Sequence, residues 1–344
     1  MIEKYYSGVI EQIYNRIGKE TRNIVMANYS NDFSIENLEV IRRYQSNEDN
    51  VFFAYSEFSY NTLVGAYEPF LDIICNMHRR FIGGSFDDFQ KECGVYYLHR
   101  QVLNSYYETG ECFREETVLL NEVAYEQRRM TMAIADMLKK LSEVKPLMIV
   151  INRFQMASKS SIETIKYLID NPCANIGIVL GVNAIVKGTD STVEVWDRIV
   201  ESLEDRSAIY YIGSAGPLKN NVKTTNDDEL YITMNFEQSI QEASNIMEFL
   251  DFEQARRGCR IIEHKLKFED AWIDEKSLRR FYMVYARTSV LLGEMSKAIE
   301  LMNEYKALIP ENDSEHYFSL YYFMKGTCYM YQGKLEKAGN SAKS

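Results

Sequence analysis

The sequence predicts an α/β region built on a parallel sheet, followed by an all-α region of helical repeats. Three observations carry this reading. First, the unbroken apolar run Leu147-Met148-Ile149-Val150-Ile151 follows Pro146 and ends on polar Asn152-Arg153. Helical spacing then resumes from Ser158 to Leu168, so the run reads as a buried parallel strand feeding a helix. Second, similar runs alternate with amphipathic stretches to about residue 212, the pattern of strand and crossover helix. Third, from about Thr233 no buried-strand signal remains, and apolar residues recur at helical spacing in segments that resemble one another. The expected division is residues 1–232 and 233–344.

Each element can be justified in order. Ile10, Ile13, Tyr14 and Ile17 share one helical face, so Ile2 to Ile17 is a short leading helix. Asn23-Ile24-Val25-Met26-Ala27 reads as the first buried strand. The turn-rich stretch Asn28 to Ser34 follows, and Ile35 to Tyr44 resumes helical spacing with Ser34 as its cap. Val51 to Tyr55 is a second strand, Thr62 to Phe81 a long helical stretch, and Gly83 to Tyr107 two short helices. Glu115 to Leu141 reads as one amphipathic helix leading to Pro146. After the Asn152-Arg153 strand come a helix at Ser160 to Ile169, a strand at Asn175 to Asn183, a helix at Val193 to Leu203 and a strand at Ala208 to Ile212.

Composition excludes several classes. At 344 residues the chain is too long for one ordinary core. Its 46% hydrophobic content argues against extensive disorder. A net charge of −11 disfavours a broad nucleic-acid footprint. The six cysteines lie far apart with no C-x-x-C, and Met1 to Ile13 holds no apolar signal core, so reduced thiols and a cytoplasmic location are expected. No apolar run approaches the ~20 residues that span a bilayer, so no membrane partner is expected. His78, His99, His264 and His316 show no metal-ligand spacing, and no metal is expected.

The strand, polar loop and helix from Asn23 to Tyr44 invite comparison with a phosphate loop. Laying G-x-x-x-x-G-K-[ST] on it places Ala27, Asp32, Phe33 and Ser34 at the four defined positions. The glycines let backbone N–H groups close around phosphate, and the lysine neutralises it. Neither glycine nor lysine is present, and Asp32 would repel a phosphate by simple Coulomb interaction. Ser34 alone fits, as a Mg²⁺-side hydroxyl or as a plain helix cap. At the end of the central strand, Asn152 and Arg153 occupy the places where such enzymes carry two acids, one for Mg²⁺ and one for the attacking water. Arg153 is read as an ion-paired or surface arginine, against the alternative of a cation standing in for Mg²⁺ beside a nucleotide.

In the helical region Gly293-Glu294-Met295-Ser296-Lys297-Ala298 matches Gly333-Lys334-Leu335-Glu336-Lys337-Ala338. Glycine lets the chain reverse between two helices, and alanine lets them approach closely. Tyrosines crowd these segments. Tyr285, Tyr321, Tyr322 and Tyr329 are candidates for a partner-docking face, because a tyrosine ring buries area while its hydroxyl stays paired. The competing reading of these residues is interhelix packing.

Tyr322, Gly326, Tyr329, Gly333 and Ala338, with Gly293, Ala298 and Pro310 before them, resemble tetratricopeptide helix pairs, with a period longer than the family's usual ~34 residues. That resemblance implies a surface for a protein or peptide partner. The last helix stops at Ser344 without a polar capping unit, so the array is expected to continue in a longer parent chain. The region from about residue 5 to 215 resembles the STAND class of P-loop ATPases, which includes LuxR-type and adenylate-cyclase-associated bacterial regulators. The matching pieces, in order, are Tyr6 to Glu11, Tyr55-Ser56, Ala66 to Phe70, the 146–171 strand and helix, and Val179 to Asn183 with Asn183 at a sensor-strand tip. The resemblance implies a P-loop fold and signalling, while Ala27, Asp32, Phe33, Asn152 and Arg153 replace the groups that bind and hydrolyse ATP. The expectation is a regulatory interaction protein with no enzymatic activity and no cofactor. The alternative is a nucleotide-binding switch that does not hydrolyse, belonging to a transcription regulator or cyclase whose output lies past residue 344. Oligomerisation is left open.

Overall fold

The computed structural model describes residues 2–29, 38–46, 50–59, 63–114, 120–183, 186–187, 193–213, 223–224, 235–268, 273–310 and 314–341. The chain divides into two compact units, residues 1–109 with 128–231, and residues 110–127 with 232–344.

The first unit opens with helix α1 (Ile2–Arg16) and strand β1 (Ile24–Tyr29), then α2 (Glu39–Ser46) and β2 (Phe52–Glu57). Helices α3 (Phe70–Met77), α4 (Phe86–Glu92), α5 (Tyr97–Thr109) and α6 (Val123–Val144), the last belonging to this unit from residue 128 on, precede β3 (Leu147–Asn152). Then come α7 (Lys159–Asp170), β4 (Ile176–Asn183), β5 (Val186–Lys187), α8 (Val193–Glu204), β6 (Ile209–Ile212) and β7 (Lys223–Thr224). Five strands form one parallel sheet in the order β2-β3-β4-β1-β6, and β5 pairs with β7 in a small parallel ladder. Strands β3 and β4 are buried at every position, which is why they read as continuous apolar runs rather than alternating ones.

On one face of the sheet, Tyr6, Ile10 and Ile13 of α1 and Val40 and Ile41 of α2 pack with Val25, Ala27 and Tyr29 of β1, Phe53 of β2, Met148 and Val150 of β3 and Val179 of β4. Gly177 of β4 is what lets α1 lie this close. A Cβ there would stand 2.9 Å from Ile13 and Ile17 side-chain carbons. Gly177→Val is therefore expected to destabilise the first unit by about 1–3 kcal/mol through overpacking. Urea denaturation checks it, and an unchanged midpoint would contradict the packing described.

Two helices differ from the spacing-based expectation. Of the stretch Thr62 to Phe81, only Phe70–Met77 is α-helix, continued by a wider π turn over His78–Ile82. Pro69 holds the preceding residue away from helical geometry, and Tyr67 is left-handed at φ 57°, so the helix has no room to start earlier. The helix read as Glu115 to Leu141 begins at Val123 among the described residues and runs to Val144, where Pro146 stops it.

The second unit contains α9 (Phe236–Glu248), α10 (Phe252–Phe268), α11 (Glu275–Leu291), α12 (Met295–Ala307), α13 (Ser314–Tyr331) and α14 (Leu335–Ser341), each packed on the next. Asn235 and Gln238 form a reciprocal capping box at the start of α9, and Asp274 caps α11. Gly293 and Gly333 take φ of 78° and 72° at the α11–α12 and α13–α14 turns, a conformation that favours glycine. Ala298 is fully buried, and a Cβ on Gly326 would make only ordinary contacts, 3.5 Å from Ser341 Cβ and 3.7 Å from the Ala338 carbonyl.

Residues 110–127 belong to this unit through specific bonds. The Cys112 amide donates to Asn245 Oδ1 at 2.9 Å, and Asn245 Nδ2 donates to the Gly110 carbonyl at 3.0 Å. Gln127 Nε2 donates to the Leu250 carbonyl at 2.6 Å, where Leu250 is left-handed at φ 68°. The six cysteines are free thiols. Among the described residues no helix is long and apolar enough to cross a membrane.

Candidate functional site

Because the sheet is parallel, all its strands finish at one edge, and open α/β sheets bind ligands outside that edge where neighbouring strands send their connections in opposite directions. Here the neighbours are β1, whose chain leaves for β2, and β4, whose chain leaves for β6. Their last residues, Tyr29 and Asn183, are paired in the sheet register. Next to them, β3 ends in Asn152 and β2 in Glu57, themselves paired.

Side chains two apart on a strand share a face. Tyr29, Tyr55, Glu57 and Asn152 accordingly gather on the α1 side of the edge. The Tyr29 hydroxyl donates to Asn152 Oδ1 at 2.6 Å, with both residues fully buried. Tyr6 of α1 meets the Tyr29 ring edge-on at 6.4 Å. Burial raises the Tyr6 phenol well above its usual range, helped by Tyr29, Tyr55 and Glu57, so the cluster stays neutral at Tyr6.

Arg153 follows the tip of β3 in a left-handed conformation, φ 54° and ψ 40°. Its Nη1 lies 3.2 Å from Glu57 Oε1 and donates to the Phe58 carbonyl at 3.4 Å. The same Glu57 accepts a short hydrogen bond from Tyr55. A 3₁₀ turn over Phe154–Met156 then buries Phe154 completely and brings Gln155 beneath β4, where its Oε1 accepts from the Asn183 amide at 3.3 Å.

Of the sequence-predicted site residues, Asn152, Arg153 and Asn183 therefore come together at this edge. Ala27 lies inside β1, paired with Gly181 and Tyr210 and fully buried, rather than in the loop that follows the strand. Asp32, Phe33 and Ser34 lie outside the described residues. Motif reasoning passed over Tyr6, Tyr29, Glu57 and Gln155. The period-two parity of β1 and β2, read to their last residues, would have brought out Tyr29 and Glu57.

At the tips of β2 and β3 the polar side chains meet partners within the protein. Asn152 is a neutral amide taking a phenol proton donor. Glu57 at the tip of β2 is shared between Arg153 and Tyr55. Among the described residues no cluster of three or more His, Cys, Asp or Glu has the arrangement of a metal site.

The tyrosines of the second unit divide. Tyr285 and Tyr321 are buried, Tyr285 with Lys297 5.6 Å from its ring and Tyr321 accepting from Lys325 Nζ at 2.6 Å. Tyr322 and Tyr329 are half-buried on α13, the latter with Lys337 5.8 Å from its ring. Sequence reasoning also passed over a buried ion cluster in this unit. Arg114 Nη2 donates to the Glu248 carbonyl at 3.0 Å, at the last turn of α9, where a cation is favoured. Its Nε lies 3.8 Å from the Glu248 carboxylate, whose other oxygen is 2.9 Å from Arg287 Nη1.

Compared with known proteins, the chain matches no family model and no curated protein sequence.

Proposed function

We propose that this chain is a cytoplasmic regulatory interaction protein. In this reading the α/β unit is a STAND-like scaffold or switch element that has replaced its ATPase groups, and the tetratricopeptide-like repeats bind a protein or peptide partner. The observation that carries it is the sheet's carboxyl edge: the amide of Asn152 is held by Tyr29, and the charge of Arg153 is met by Glu57. The two acids that would hold Mg²⁺ and orient water are replaced by an amide and a cation already engaged with the protein itself. Loss of a single such group costs ~10²- to 10⁵-fold in rate. The half-buried Tyr322 and Tyr329 on α13 support partner binding by the repeats. Phosphate release from Mg²⁺-ATP by the full chain tests the reading. Release at the no-protein background is expected, and steady turnover abolished by Asn152→Ala would overturn it.

A second reading keeps nucleotide binding without hydrolysis. It is favoured by Gln155 Nε2 and Asn28 Oδ1, buried polar atoms near the ends of β3 and β1 that have no hydrogen-bond partner. It predicts stabilisation by nucleotide of about 2.7 kcal/mol at a hundredfold excess over Kd, lost in Arg153→Ala.

A further inference from the structure

The second unit carries a half-open cavity of about 250 Å³, with exposed Phe323 and Met330 on its wall, somewhat below the ~300 Å³ at which drug-sized ligand clefts begin. Most of its wall is apolar, including Met247, Phe252 and Met324, all buried. One part is charged: Arg114, Glu248 and Arg287 line it together. Arg114 is the unusual member. Its side chain is 2% exposed, yet its Nε and Nη1 have no hydrogen-bond partner. A guanidinium buried with idle donors costs free energy that an acceptor in the cavity would recover. Glu248 is already engaged, its carboxylate by Arg287 and its backbone carbonyl by Arg114 Nη2. The wall carries two cations and one carboxylate, and buried Glu126 also acts on Arg114, so what the cavity lacks is an acceptor for the idle Arg114 donors, while an apolar wall rejects sugars and polyphosphates.

From this geometry we infer that the cavity binds a small amphipathic monocarboxylate, its carboxylate on Arg114 and Arg287 and its hydrocarbon body against Met247, Phe252 and Met324. The methionines suit an alkyl or aryl body, since their flexible thioethers adapt to irregular shapes. The volume takes about eight water-sized groups at ~30 Å³ each, the scale of a medium-chain or aryl-alkyl acid. A dianion is disfavoured because Glu248 stands beside the cations. The inference uses residues of the second unit alone and does not depend on the reading of the α/β unit.

The test is calorimetric titration of the full chain with octanoate, 3-phenylpropionate, octan-1-ol and octyl phosphate. Saturable binding of at least one of the two acids is expected, with octan-1-ol weaker by about tenfold or more, the scale of one charge-assisted contact. Arg287→Gln, at a half-exposed position, is expected to keep the wild-type circular dichroism and to lose about tenfold in affinity for the acid. Thr327→Trp, which places an indole in the cavity, is expected to abolish binding with the fold retained. Absence of binding by both acids at millimolar concentration would overturn the inference. So would octan-1-ol or octyl phosphate binding as tightly as the acids, or an Arg287→Gln affinity equal to wild type.

Discussion

Glu248→Ala is expected to destabilise the second unit by about 3–5 kcal/mol, the cost of breaking a buried ion pair from one side. The carboxylate is nearly as buried as the Arg114 it faces, at 7% and 2% side-chain exposure. It is also the group that Arg287 reaches at 2.9 Å. Burial pulls the Arg114 guanidinium below its usual range, and Glu248 is the largest influence acting against that pull, ahead of Glu126. Removing the carboxylate leaves Arg114 desolvated with its principal counter-charge gone. The paired substitution Arg114→Met with Glu248→Leu should recover much of the loss, because well-packed apolar residues often replace a buried pair at little cost. Urea denaturation followed by helical circular dichroism measures both. A loss under about 1 kcal/mol in Glu248→Ala would place the pair in the weak class of surface bridges and contradict the account of how residues 110–127 are held.

Phe154→Ala should cost a similar amount in the first unit, about 3–5 kcal/mol, as a large buried aromatic truncated inside a packed core. Phe154 is fully buried, its ring centroid 5.8 Å from that of Trp196 on α8. It sits between Arg153 and Gln155, so it anchors the turn that aims one at Glu57 and the other at β4. Tryptophan fluorescence during urea unfolding reads the change directly through Trp196. A midpoint within error of wild type would mean that the turn is held by its polar contacts instead of by this ring.

The parts of the molecule that were legible in the sequence are those whose signal is local. Leu147 to Ile151 and Ile176 to Val182 declared themselves as strands because burial on both faces leaves no polar alternation. The polar residues that end them, Asn152 and Asn183, could be named as strand tips for the same reason. Gly293 and Gly333 marked helix reversals because their turns need a left-handed residue, whereas Leu250 takes the same conformation between α9 and α10 with nothing in its type to announce it. Contacts that depend on strand order were not legible. Tyr29 reaches Asn152 because β4 alone separates β1 from β3, and nothing in either segment states that order. The same holds for residues 110–127, whose bonds to Asn245, Glu248 and Leu250 join positions more than a hundred residues apart without any periodic pattern. Tyr285 and Tyr321 were grouped with Tyr322 and Tyr329 because composition alone does not separate a tyrosine packed between helices from one on their surface.

The proposal for the first unit rests on the tips of β2 and β3, where Tyr29 holds Asn152 and Glu57 meets Arg153. Isothermal titration of the full chain with ATP, ADP and GTP in the presence of Mg²⁺ tests it most directly. The account predicts no saturable heat with any of the three at concentrations up to about a millimolar, where the binding free energy is already as small as ~4 kcal/mol. Saturable one-site binding in the micromolar range, accompanied by turnover, would contradict it.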